Sequence, residues 1–146
     1  MPISQAMCTS FKQEILQGIH VFTGASPDTF KIALYSSAAN IGAATTAYTT
    51  SGEVAASGTY AAGGGTLTGT TLTTPVTPGT TVVIDFADIS FTGATITARG
   101  AMIYNSTKAN RSVAVLDFGS DKIVTGGTFT IQFPTPDATS GILRLA

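Results

Sequence analysis

The stretch Thr95-Ile-Thr-Ala-Arg-Gly-Ala-Met-Ile-Tyr104 reads as a long β-strand, with Gly100 marking a bulge or a close approach of backbone. Outward from it the β-branched, period-two pattern recurs on both sides. Toward the C-terminus, Ser112-Val-Ala-Val-Leu-Asp-Phe118, Thr128-Phe-Thr-Ile-Gln-Phe133 and Gly141-Ile-Leu-Arg-Leu145 read as further strands. Toward the N-terminus stand Ile89-Ser-Phe91, the strong Thr81-Val-Val-Ile-Asp-Phe86, and the weaker Thr66-Leu-Thr-Gly-Thr-Thr-Leu-Thr73. Phe30-Lys-Ile-Ala-Leu-Tyr35 places large apolar residues at 30, 32 and 34, the mark of a half-buried strand. Pro75, Pro78-Gly79, Asn105 through Asn110, Gly126-Gly127 and Pro134 through Asp137 punctuate the gaps. The echo between Val82-Val-Ile-Asp-Phe86 and Val113-Ala-Val-Leu-Asp-Phe118 is too short for a repeat; it reads as two strands ending alike, each Asp opening a turn.

The first two dozen residues follow another period. Met7, Phe11, Ile15, Ile19 and Phe22 recur at spacings of four, four, four and three, one stripe of an amphipathic helix over roughly 4 to 20. Leu16 widens that stripe, Ser4 or Thr9 is placed to cap it, and Gly18 and Gly24 offer stops. The chain therefore divides into an N-terminal amphipathic arm, residues 1–24, and a β domain, residues 25–146. The expected fold is mainly β: an antiparallel β-sandwich, jelly-roll or Ig-like, with one N-terminal α-helix. The stripe either packs on its own subunit or docks on a neighbouring chain. Residues 36 to 65 are small, polar and glycine-rich, and suggest a long surface loop in which Tyr48 and Tyr60 are the large anchors and the candidate contact residues.

Charged residues make up 10% of the 146, against about 25% in an ordinary soluble domain. Interspersed charge normally keeps monomers apart, so such a surface suits association. The net charge is −1, and Lys12, Lys31, Arg99, Lys108, Arg111, Lys122 and Arg144 are scattered, so no nucleic-acid footprint is expected. No run of about 18 apolar residues is present for membrane insertion. Met1-Pro-Ile-Ser-Gln-Ala6 has neither the basic nor the apolar part of a secretory signal, so folding in a cytoplasm is expected.

Chemistry-bearing residues are few. His20 is the one histidine and reads as a helix-end surface group; Cys8 lies at the other end of the same helix, out of its reach. One His and one Cys build no zinc site, and Asp85, Asp88, Asp117 and Asp121 lack the spacing of a calcium loop. Gly63-Gly64-Gly65 is not followed by the Lys-Ser/Thr of a phosphate cradle. The expectation is no catalytic residue, no metal and no cofactor: a non-enzymatic protein.

Phe11-Lys-Gln-Glu-Ile-Leu-Gln-Gly-Ile-His20, Phe30-Lys-Ile-Ala-Leu-Tyr-Ser-Ser37 and Thr97-Ala-Arg-Gly-Ala-Met-Ile-Tyr-Asn105 occur in this order. Ala114-Val-Leu-Asp-Phe-Gly119, Phe133-Pro134 and Ile142-Leu-Arg-Leu145 follow them. Together they resemble a family of small structural proteins of tailed bacteriophages over nearly the whole chain. The resemblance implies a virion component, made in the host cytoplasm; with the low charge, the β-rich pattern and the terminal helix, the expectation is a symmetric homo-oligomer (a trimer is one form) that contacts other virion proteins. Capsid decoration or a neck or tail fibre-attachment role would suit it; the alternative is a host-surface, glycan-binding module of a tail appendage.

Overall fold

The computed structural model describes residues 3–73, 80–136 and 141–145. It is mainly β, 46% strand and 6% helix, with antiparallel sheets in a sandwich-like arrangement and one short helix near the N-terminus. The elements are β1 (Ala6–Met7), α1 (Thr9–Leu16), β2 (Phe30–Tyr35), β3 (Gly65–Thr66), β4 (Thr71–Thr73), β5 (Val82–Asp85), β6 (Ile89–Asn105), β7 (Arg111–Ile131) and β8 (Leu143–Leu145). The larger sheet runs β1-β7-β6-β2-β3 and the smaller β4-β5-β8. The turn signals at Pro75, Pro78-Gly79 and Asp137 lie outside the described residues.

β6 and β7 form the spine. Ile89–Phe91 and Thr95–Tyr104 are one continuous strand, and the segment between Phe118 and Thr128 joins its flanks into another, because each supplies the other's ladder. The turn between them closes through the Asn105 side chain, whose Oδ1 accepts the amides of Thr107 and Lys108. Gly100 sits at a register shift, and a Cβ there would stand 2.4 Å from the Leu116 carbonyl, so both of its expected roles apply.

Alternation along β2 and β6 separates two covered faces. Phe30 faces the small sheet: its ring lies 6.1 Å from Phe86 and stacks on Phe22 at 4.3 Å. On the other face Tyr35 donates to the Thr49 carbonyl and Tyr104 stacks on Tyr48, so residues 36–64 cover the sheet. That stretch is therefore not a loose surface loop. Ala39, Ile41 and Tyr60 in it are buried, and Gly64 presses so closely on β2 that a Cβ would meet the Ile32 carbonyl at 1.8 Å.

The N-terminal arm differs from its expectation. Residues 6 and 7 pair with Val115 and Ala114 as a strand, and the Cys8 amide continues that pairing to the Val113 carbonyl, so the helix starts only at Thr9. Neither Ser4 nor Thr9 caps it; Cys8 is the N-cap and makes no side-chain cap bond. Gly18, at φ +69°, is the expected stop. Of the stripe, Phe11 is fully buried, Met7, Ile15 and Phe22 pack partly against the same core, and Ile19 is half-buried beyond the helix. Leu16 is 90% exposed and does not widen it. Because Ile3, Cys8 and Phe11 belong to the main core, residues 3–24 are part of the β domain and not a separate arm.

Candidate functional site

Two polar clusters and one open strand edge hold the groups that could act. The first cluster surrounds His20, whose side chain is 0% exposed, the opposite of a surface helix-end group. Its Nε2 lies 3.0 Å from Glu14 Oε1 and its Nδ1 2.9 Å from Asn105 Nδ2. Since Asn105 Oδ1 is taken by two backbone amides, the Asn105 amide nitrogen must face His20. Nδ1 then accepts, and the ring proton sits on Nε2, donated to Glu14. The second Asn105 hydrogen goes to Asp28 Oδ2 at 2.8 Å, which also accepts the Val21 amide. Glu14 further accepts from Arg111 at 2.6 Å. Burial alone would raise the Glu14 carboxyl, but its bonds from His20 and Arg111 outweigh this and hold it below its ordinary value. Both His20 nitrogens are thus engaged inside the chain, leaving neither for a substrate atom. Cys8 offers nothing to it: the thiol points at the Gly42 carbonyl at 3.8 Å, and burial pushes its pKa up.

The second cluster surrounds Glu53. It accepts from Tyr48 at 2.6 Å, from Tyr60 at 2.8 Å and from the Gly63 amide at 2.7 Å. Tyr60 in turn accepts the Leu34 amide, and Tyr104 donates to the Gly63 carbonyl. Burial raises the pKa of all four tyrosines, with the Glu53 charge adding to it. The two residues singled out as loop contacts are therefore internal. Tyr60 is 1% exposed, and Tyr48 is half-buried with its hydroxyl committed, because the excursion needs polar anchors where it has almost no apolar bulk. Sequence reading missed Glu14, Glu53 and Asn105; the only available signal was that acids are rare in this chain.

The open feature is the outer edge of β7. β1 covers it at Ala114 and Val115, and the Gln5 side chain takes the Asp117 amide. Beyond Asp117, no described strand pairs with that edge. Between the pairs Gly100↔Asp117 and Ala98↔Lys122, residues 118–121 stand against Arg99 alone, a wide bulge that bends the strand. A groove of about 610 Å³ lies along this part of β7, lined by the apolar Phe118, Ile123, Val124, Phe129 and Ile131 and by Lys122, Gln132 and two threonines. Ile123 is 70% exposed, and Lys122 is the one charged side chain in the lining.

Among the described residues no group of three or more His, Cys, Asp or Glu side chains is placed to hold a metal ion. No helix of the described residues is long and apolar enough to cross a membrane. No family model, curated protein or solved structure matches the chain.

Proposed function

We propose that the chain is a non-enzymatic structural subunit of a bacteriophage particle, forming a symmetric homo-oligomer on the particle surface as capsid decoration or as a neck or tail fibre-attachment component. Placement on a phage particle rests on the resemblance of the sequence segments quoted above. Self-association is carried by one observation: a long strand edge, unpaired beyond Asp117 among the described residues, beside a groove lined by both apolar and polar side chains. Unpaired strand edges pair with further chain where no Lys, Pro, bulge or cover blunts them, which leaves the stretch beyond the 118–121 bulge and Lys122 as the part of this edge open to a second copy. With charged residues at 10%, little repulsion opposes a second copy. The glycan-binding alternative loses its motive, since Tyr48 and Tyr60 are committed to Glu53.

Light scattering on size-separated protein tests the reading. Wild type should run as an oligomer at micromolar concentration, and Ile123→Lys, which places a charge on the edge, should shift toward monomer with an unchanged circular dichroism spectrum. A strictly monomeric wild type overturns self-association.

A further inference from the structure

We infer that residues 3–22 form an exchangeable segment, which in the assembled protein takes on a second copy the seat it occupies here on its own chain. The inference rests on the self-association reading: copies brought together at the β7 edge gain a second hold on each other by exchanging this segment. The seat and its occupant are both visible. β1 lies on β7, and the amides of Ser4, Cys8 and Thr9 donate to the carbonyls of Ile41, Val113 and Ala43. Phe11 enters the core, Glu14 binds Arg111, and His20 binds Asn105. Every one of those partners lies beyond residue 27, so a second copy offers the same set.

Only residues 23–27 need change conformation for the exchange. All five are exposed, Gly24 sits at φ +119°, and a Cβ there would meet nothing within 4 Å. Even the clasp across this linker, Val21 to the Asp28 carboxylate and Asp28 to the Val21 carbonyl, joins the segment to the body and is restored in the exchanged form. The segment does not persist unseated. An eight-residue helix is too short to stand alone, and release would strip Ile3, Cys8 and Phe11 from the core. Exchange replaces each contact by an identical one, which makes it a low-cost route to association. The short linker holds the segment at its own seat with an effective concentration of about 1 mM, so exchange needs copies crowded to that level, as on an assembling particle.

Met7 and Ala114 are directly opposed across β1 and β7, so a Met7→Cys, Ala114→Cys pair in a Cys8→Ser background reports where the segment sits. The protein is oxidised at about 1 mM, the range set by the linker, then sized by light scattering and run on a non-reducing denaturing gel. Oligomers whose chains are disulfide-linked to one another are the expected result. Oligomers with the disulfide confined within each chain overturn the exchange and leave self-association standing. Monomers with only internal disulfides overturn both.

Discussion

Near its turn the β6–β7 hairpin is buried on both faces, from Ala101 to Asn105 and from Ser112 to Leu116; at its far end, residues 119–128 of β7 are largely exposed. The same two strands run through both regions, so strand propensity does not account for the difference. What differs is the cover. α1, the His20 cluster and the 36–64 excursion close the turn end, where polar side chains are matched donor to acceptor. At the far end β7 carries a wide bulge and lacks a neighbour beyond Asp117 among the described residues. The exposure is thus confined to β7: opposite it, Phe91, Ala94, Ile96 and Ala98 of β6 stay buried, so one stretch of a single strand is left available for contact.

Four outcomes would break or sharpen that contrast. The largest effect belongs to Glu53→Ala, which strands the Tyr48, Tyr60 and Gly63 donors; at about 1–3 kcal/mol for each unsatisfied group, a loss of roughly 3–5 kcal/mol is expected in urea unfolding. A change below about 1 kcal/mol would mean that the excursion is held by something else. Asn105→Ala follows, at roughly 2–4 kcal/mol, since four side-chain hydrogen bonds linking the turn, His20 and Asp28 disappear together.

The pH dependence comes third, with opposite signs at the two extremes. The tyrosines are raised by burial, so above about pH 10 the unfolded chain releases protons first. The stability they contribute below that pH then falls by about 1.4 kcal/mol per pH unit for each tyrosine kept protonated. Glu14 is lowered, so its contribution, present above its ordinary value of 4.5, is lost as the pH falls through the folded value. Unfolding midpoints across the pH range check both, and a flat alkaline limb would contradict the Glu53 cluster. The smallest effect is at the open end: Ile123→Lys should move stability by no more than about 0.5 kcal/mol. A large loss would show the groove to be core and not surface.

Much of the sheet was legible in the sequence, because alternation and β-branched residues act locally. Phe30–Tyr35 is the strand that the pattern marks out, and Gly100 does what its position demands. The arm was not legible in full. Its stripe satisfies a helical period, yet residues 6 and 7 gain more by completing an edge of β7, a partner more than a hundred positions away. The excursion failed for a related reason. Alanine, glycine and threonine give no periodic signal, and what fixes them is distant in sequence: the Glu53 carboxylate, bonds from Tyr35 and Ser112 to backbone carbonyls, and close approaches at Gly58 and Gly64. His20 misled because a helix-end position says nothing about which side chains close over it.

The Glu53 cluster also governs how this protein can be watched. The chain has four tyrosines and no tryptophan, and all four sit within electrostatic reach of that one carboxylate. Its tyrosine emission therefore comes from a single location, the seat of the excursion, as does much of its near-ultraviolet dichroism. That built-in probe reports the closing of the core and is nearly blind to the β7 edge. Folding and assembly can then be followed separately in unlabelled protein, the first by tyrosine signal and the second by scattered light.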